Sequence, residues 1–175
     1  YHVDFSNLEL NEQTGAMCVS RPTNPTGNVL SDDEIAQLDE MTQAQNIPLI
    51  IDGAYGLPFP GILFTDAKPH WNENTILALS LSKLGLTGAR TGIIVGSEEV
   101  INAYTNANTV VSLACGNLGP ALTKELFKTA EVISLTRDHI TPFYRNRPQQ
   151  TVQWFRNSLG DLPYCIYKPE GAIFL

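Results

Sequence analysis

The stretch LALSLSKLGLTGARTG, from Leu77 to Gly92, brings a lysine, an arginine and two serines close together. Lys83 follows an apolar run that is typical of a buried strand. Lysine is seldom buried without a partner, so its position after such a run needs a chemical reason. A shielded lysine amine can act as a nucleophile and can move protons near neutral pH. Arg90 adds a forked cation of the kind that pairs with phosphate oxygens.

Three more polar residues follow predicted strands. Asn24 comes four residues after the first strand, Asp52 ends the second, and Tyr55 follows Asp52 by three positions. Singly, each has an ordinary explanation, such as a turn at NPTG, a helix cap or a half-buried phenol. Ligands of open α/β sheets, however, bind beyond the carboxyl ends of the strands. Together with Lys83, these residues therefore predict a functional site at that edge.

Four short apolar runs are predicted to be strands. They are AMCVS at 16–20, IPLIID at 47–52, TILALS at 75–80 and GIIVG at 92–96. Ser31 and Glu34 predict a capping box at the start of one helix, and Ser97 is predicted to cap another. Alternation of strands and helices predicts a mostly parallel sheet with helices on both faces. The expected fold class is α/β, with three layers in the order αβα.

The second half of the chain has a helical pattern over residues 120–159. Pro142 and Pro148 predict that this region is kinked or split, and Gly160 is a candidate helix stop. The strings YCIYKP and GAIFL then predict strands that begin another subdomain.

Composition excludes several classes of function. The chain has 175 residues and a formal net charge of −7, and its basic residues are scattered, so neither a nucleic-acid nor a membrane partner is predicted. No apolar run approaches the roughly 18 residues of a membrane span. The histidines and cysteines lack the spacing of metal ligands, so no metal site is expected. The three cysteines are expected to be reduced and buried.

Other conspicuous residues are predicted to be structural. Arg21 is expected to make a structural hydrogen bond rather than to face the site, and Trp71 and Trp154 are expected to be packing residues. Four residues are predicted to occupy core positions on helices: Tyr104, Leu126, Phe143 and Phe155.

The residue types at the sheet edge suit one cofactor, pyridoxal phosphate. It needs a lysine amine for a Schiff base and a carboxylate that keeps its pyridine nitrogen protonated, which Lys83 and Asp52 can supply. Asn24 and Tyr55 can donate to its phenolic oxygen. The candidate phosphate ligands are Ser80, Ser82 and Arg90.

The strings RPTNPTG, DGAY, SLSK and GARTG, in this order, resemble the signature of the fold-type I aminotransferases that depend on pyridoxal phosphate. The resemblance covers about Val3 to Leu175. It implies a cofactor-binding large domain at 1–150, present in part, and the start of a smaller C-terminal domain at 151–175. It also implies a phosphate-binding turn upstream of Tyr1 and a substrate-carboxylate arginine downstream of Leu175.

The same resemblance implies roles for individual residues. The implied catalytic residues are Lys83, Asp52 and Tyr55. The implied cofactor-binding residues are Asn24, Asp52, Tyr55, Ser80, Ser82, Lys83 and Arg90. Arg90 lies one residue closer to the lysine than the phosphate arginine does in many relatives.

The implied activity is that of a cytoplasmic, homodimeric enzyme. It would move an amino group between L-valine and pyruvate by a ping-pong mechanism, giving 2-oxoisovalerate and L-alanine. The loop at 112–120 resembles family segments near the dimer interface. The alternatives are a β-lyase with the same cofactor, an aminotransferase-like sensing domain of a transcription regulator, and a structural domain without ligand.

Overall fold

Four strands form one sheet in the computed structural model, which describes residues 2–175. They are β1 (Met17–Ser20), β2 (Leu49–Asp52), β3 (Thr75–Ser80) and β4 (Gly92–Val95), in that order across the sheet. The pairs β1–β2 and β2–β3 are parallel, and β3–β4 is antiparallel. The α/β class and the mostly parallel sheet are therefore confirmed.

The helices account for most of the remaining regular structure. They are α1 (Asp32–Ala44), α2 (Glu98–Ser112), α3 (Leu118–Lys128), α4 (Glu131–Leu135) and α5 (Thr141–Leu159). A π-helical turn, Thr136–Ile140, separates α4 from α5 just before Pro142. The predicted split of the helical region is thus confirmed at Pro142. Pro148, in contrast, lies inside α5 without dividing it.

Both predicted helix caps form. The Ser31 hydroxyl accepts a hydrogen bond from the Glu34 backbone N–H at 3.1 Å, and the Glu34 carboxylate accepts one from the Ser31 N–H at 2.8 Å. This reciprocal pair satisfies two backbone donors at the start of α1. Ser97 caps α2 in the same position by accepting from the Val100 N–H at 3.4 Å.

The main hydrophobic cluster packs against one face of the sheet. It comprises Ile35, Leu38, Leu49, Ile51, Phe59, Leu77, Leu79, Leu81 and Val132. Side chains alternate between the two faces of a strand, so Leu77 and Leu79 of β3 point into this cluster while Ala78 and Ser80 point to the other face. Ala78 and Ser80 are only half-buried. Ser80 therefore lies on the face that the main cluster leaves open.

The C-terminal region differs from the prediction of two strands. Within the described residues after α5, β-pairing is limited to an isolated bridge between Leu63 and Gly171. An apolar run becomes a strand only where a neighbouring strand completes its hydrogen bonds. Here the neighbour is a loop, and only its Leu63 pairs with the C-terminal region. Helix α5 continues through residue 150, so the predicted domain boundary at 150–151 falls within a helix. The division into two domains remains a prediction.

The predictions of burial were wrong for several side chains. Leu126 packs partly buried against the core as expected, but five aromatic residues are exposed. These are Trp71, Tyr104, Phe143, Trp154 and Phe155. The three cysteines are free but exposed rather than buried. Periodicity predicted which residues lie on helices, but not which helix faces the other elements cover.

Candidate functional site

The carboxyl ends of the parallel strands meet at one edge of the sheet. The register pairs Ser20 of β1 with Asp52 of β2, and Asp52 with Ala78 of β3. The Asp52 carboxylate accepts a hydrogen bond from the Ser20 hydroxyl at 3.5 Å and from the Ala54 N–H at 3.0 Å. Asp52 is exposed. Two neighbours thus orient its carboxylate at the edge while leaving it accessible.

Lys83 and Tyr55 are in contact, although they follow different strands. The Lys83 Nζ lies 5.0 Å from the centroid of the Tyr55 ring, within the range of a cation–π interaction. Both residues are half-buried. Lys83 belongs to a short 3₁₀ turn, Ser82–Leu84, that follows β3. An amine and a phenol are therefore held together just beyond the sheet.

The chain reverses direction between β3 and β4, and this reversal carries the candidate phosphate ligands. The Ser80 hydroxyl accepts a hydrogen bond from the Ser82 N–H at 3.1 Å and can still donate its own proton. Gly85 adopts a φ of +89°, in the left-handed region that favours glycine. At the far end, Arg90 is exposed and its guanidinium donates to the Thr87 carbonyl at 3.5 Å.

Asn24 lies exposed on the turn after β1. Two backbone hydrogen bonds close this turn, from the Thr23 N–H to the Asn28 carbonyl at 2.8 Å and from the Gly27 N–H to the Thr23 carbonyl at 2.9 Å. Gly27 has a φ of +69°. The backbone that carries the Asn24 side chain is therefore well determined.

Arg21 has the structural role expected from the sequence. Its buried guanidinium group donates to the Leu30 carbonyl at 2.6 Å, to the Asp32 carboxylate at 2.7 Å and to the Lys68 carbonyl at 3.1 Å. These bonds join the end of β1 to the start of α1 and to the β2–β3 connection. Arg21 thus supports the sheet edge through its neighbours.

Sequence reasoning missed two residues that contact this region. The ring of Phe174 packs edge-to-face against Tyr55 with their centroids 5.6 Å apart, and the Glu170 carboxylate accepts a hydrogen bond from the Val29 N–H at 3.0 Å. Both belong to the string KPEGAIFL, which indicated the family but carried no assigned chemistry. A contact between residues so far apart along the chain leaves no local signal in one sequence.

A second polar cluster lies at the opposite end of β3 and was also missed. Asp39, buried on α1, accepts hydrogen bonds from the side chains of His70 and Asn72. Burial raises the pKa of Asp39, but side-chain hydrogen bonds outweigh that effect and lower it below its usual value. Within residues 2–175, no group of three or more histidine, cysteine or acidic residues could hold a metal ion. In the same part of the chain, no helix is long and apolar enough to cross a membrane.

The fold is shared with known aminotransferases. A family model described as aminotransferase class I and II matches residues 1–175, so the chain belongs to this family. The resemblance found in the sequence is thereby confirmed.

Individual members of the family show which aminotransferases this chain is similar to. The chain is 52% identical over 175 residues to valine–pyruvate aminotransferase of Escherichia coli strain K12, covering 100% of this chain and 42% of that protein. The crystal structure of valine–pyruvate aminotransferase from Salmonella typhimurium LT2 matches with a TM-score of 0.93 and 52% identity, over 98% of this chain and 44% of that one. Aspartate aminotransferase from Thermus thermophilus with maleate shares the fold at 22% identity, with a TM-score of 0.78 over 93% of this chain and 42% of that one. The chain thus spans less than half the length of these relatives.

Proposed function

We propose that this protein is a pyridoxal-phosphate-dependent aminotransferase that moves an amino group between L-valine and pyruvate, giving 2-oxoisovalerate and L-alanine by a ping-pong mechanism. The observation that carries the proposal is the contact between the Lys83 amine and the Tyr55 ring at the carboxyl edge of the sheet. The 52% identity to valine–pyruvate aminotransferase of E. coli supports the choice of substrates.

The donor set fits the cofactor. When bound, pyridoxal phosphate supplies a ring that accepts the electrons left as a bond to the substrate's α-carbon breaks. Lys83 would hold the cofactor covalently through Nζ and, once released, would carry a proton from the α-carbon of the amino acid to the cofactor, and in the opposite direction for the oxo acid. The Asp52 carboxylate, already oriented by Ser20 and Ala54, would keep the pyridine nitrogen protonated.

The other ligands would fix the orientation of the ring. Tyr55 and Asn24 would donate hydrogen bonds to the phenolic oxygen. Ser80 would donate its hydroxyl proton to the phosphate, which the hydrogen bond from Ser82 leaves available. Arg90 would turn its exposed guanidinium from the weak contact with Thr87 toward a phosphate oxygen.

Three further features belong to the same proposal: residues 1–150 form part of the cofactor-binding large domain, residues 151–175 begin the smaller domain, and the protein is a cytoplasmic homodimer. The segment at 112–120, predicted to be a loop, contains the end of α2 and the start of α3; its exposed apolar residues, Leu113 between the helices and Leu118 at the start of α3, support a contact with a partner subunit there.

The reaction is tested on the full-length protein loaded with cofactor. Incubation with valine and pyruvate should yield alanine, measured by amino-acid chromatography. Release of ammonia without alanine would instead favour a β-lyase. A DNA-binding helix-turn-helix segment in the full-length chain, together with absence of turnover, would favour the sensing domain.

Lys83→Ala tests the residue on which the proposal depends. We expect loss of the visible absorbance of the lysine-linked cofactor and a fall in kcat of at least about 10²-fold, because both the covalent anchor and the proton carrier are removed. Lys128→Ala removes an exposed lysine of α3 and is the matched control. Unchanged absorbance in Lys83→Ala would rule out Lys83 as the anchor.

A further inference from the structure

The segment 169–174, here called the C-terminal strap, crosses two loops of the candidate site. The Phe64 N–H donates to the Glu170 carbonyl at 2.7 Å, and the Ala172 N–H donates to the Ile62 carbonyl at 2.8 Å. These bonds flank the Leu63–Gly171 bridge. The strap is therefore fixed along the loop at 60–64, which is itself joined to Tyr55 by a hydrogen bond from the Ile62 N–H to the Tyr55 carbonyl at 2.9 Å.

The strap also holds the turn that carries Asn24. The Glu170 N–H donates to the Gly27 carbonyl at 3.3 Å, and the Glu170 carboxylate accepts from the Val29 N–H at 3.0 Å. One residue thus bonds to the backbone on both sides of Asn28. Because Asn24 itself is exposed, the position of its side chain depends on how firmly this turn is held.

The approach between the strap and the turn is close. A Cβ at Gly171 would lie 2.8 Å from Cγ of Pro22 and 2.9 Å from the Ile62 carbonyl oxygen, and a Cβ at Gly27 would lie 3.0 Å from the Gly171 carbonyl oxygen. Glycine at both positions allows the backbones to touch. The strap therefore has little freedom to move relative to the turn.

The far end of the strap reaches Tyr55. Phe174 packs edge-to-face on the Tyr55 ring at an interplanar angle of 69°, and the Lys83 Nζ lies over the same ring. A tyrosine ring can turn about its χ angles, and an aromatic neighbour restricts that freedom. Phe174 thus contacts Tyr55, the side chain that would donate a hydrogen bond to the cofactor's phenolic oxygen.

We propose that the C-terminal strap positions both residues that share the cofactor's phenolic oxygen: Glu170 fixes the Asn24 turn, and Phe174 fixes the Tyr55 ring. This inference rests on the proposed function, since it assigns the strap to that same site. Glu170 and Phe174 act as positioning residues, because each works through another residue. The strap belongs to the part of the chain proposed to begin the smaller domain, so a movement of that domain would be transmitted through Tyr55 and the Asn24 turn to the cofactor's ring oxygen.

The proposal is tested by pH titration of the lysine-linked cofactor absorbance in the full-length holoenzyme. A hydrogen bond donated to the ionised phenolic oxygen favours its charged form, so loosening Tyr55 should raise the apparent pKa of the chromophore. For Phe174→Leu we expect an upward shift of about one pH unit, the scale of one hydrogen bond to a charged group. Phe174→Tyr keeps the ring and should titrate as the parent does. Phe155→Leu makes the same change at an exposed position of α5 and serves as control.

Substitutions of Glu170 test the same proposal independently of Phe174. Glu170→Ala removes the acceptor for the Val29 N–H and should shift the titration in the same direction, whereas Glu170→Gln keeps a carbonyl acceptor and should restore it. This pair decides the question if Phe174→Leu does not fold. Parental titration in Phe174→Leu or Glu170→Ala would overturn the inference. Such a result would leave the proposed function intact as long as Lys83→Ala still abolishes the absorbance.

Discussion

At the scale of single residues, Asp39 is a buried carboxylate outside the candidate site. The side chains of His70 and Asn72 donate to its carboxylate. A buried charge depends on the hydrogen bonds that it receives, and both donors here bond to Oδ2 of the carboxylate. This carboxylate joins α1 to the segment that leads into β3.

Asp39→Ala should therefore destabilise the protein. The substitution leaves the donors of His70 and Asn72 without their acceptor, and we expect a loss of about 2–4 kcal/mol in the free energy of unfolding. Urea denaturation measures it. Glu40→Ala, at the next and exposed position of α1, should stay within about 0.5 kcal/mol of the parent. Equal losses in the two variants would show that the buried hydrogen bonds of Asp39 are not the source of the destabilisation.

Prediction from sequence was uneven at this scale. Lys83 and Tyr55 were found because the residues after consecutive parallel strands must lie at one edge, and the structure brings these two into contact. Phe174 and Asp39 were not found, since their importance comes from neighbours distant in the sequence. The exposure of Trp154 and Phe155 was missed for the same reason: helical spacing does not reveal which faces are covered.

At the scale of elements, the start of α1 depends on Glu34. Burial opposes its charge, but hydrogen bonds from the backbone N–H groups of Ser31 and Val3 and from the His2 side chain outweigh this. Together they lower the pKa of Glu34 from 4.5 to about 2. The carboxylate thus joins the cap of α1 to the N-terminal segment.

Glu34 predicts a specific dependence of stability on pH. Because its pKa is lower in the folded state, its contribution is present above about pH 4.5 and is lost as the pH falls toward about 2. Glu34→Gln should be less stable than the parent by roughly 2–3 kcal/mol at neutral pH, and this difference should vanish near pH 2. Urea unfolding at several pH values measures it. A difference that stays constant across that range would contradict the assignment.

The reversal between β3 and β4 offers a matched pair of glycines. Gly85 has a φ of +89°, Gly88 lies in the same loop, and a Cβ at either would meet nothing within 4 Å. Gly85→Ala should cost about 1 kcal/mol through backbone strain alone, while Gly88→Ala should be nearly neutral. Thermal unfolding of the two variants distinguishes them. Equal melting temperatures would mean that the loop relaxes without strain.

The sequence predicted the positions of strands and helices better than it predicted which strands pair with one another. All four apolar runs before residue 97 form strands, because each has a neighbour in the sheet. The runs after Gly160 do not, apart from the single bridge at Gly171, since hydrophobic pattern alone does not supply a partner strand. The segment between β2 and β3 also departs from strict alternation: it connects parallel strands through turns rather than a helix.

At the scale of the whole molecule, α2, the loop after it and the first turns of α3 expose several apolar side chains. Val110, Val111 and Leu113 are 86%, 83% and 84% exposed, and Leu118 and Leu122 are also largely accessible. Several exposed apolar side chains in one part of the chain are typical of a protein–protein interface. These side chains lie in the region for which contact with a second subunit is proposed.

The oligomeric state of the full-length protein tests this surface. Val111→Glu combined with Leu113→Glu should shift the protein from dimer toward monomer, because burying two carboxylates at an apolar interface is unfavourable. Sedimentation velocity over a range of concentrations measures the shift. Leu162→Glu changes an exposed leucine elsewhere and should leave the mass unchanged. A parental mass in the double variant would exclude this surface from the interface.

The alternation along β3 has a consequence for how the protein can vary. Leu77 and Leu79 belong to the hydrophobic cluster, while Ser80, one position on, lies on the opposite face and is a proposed phosphate ligand. Adjacent codons of one strand are thus subject to separate selection, one for heat tolerance and the other for chemistry. Under the proposed function, lineages of this protein can adjust to temperature by exchanging aliphatic side chains on one face of the strand without changing the cofactor contact on the other.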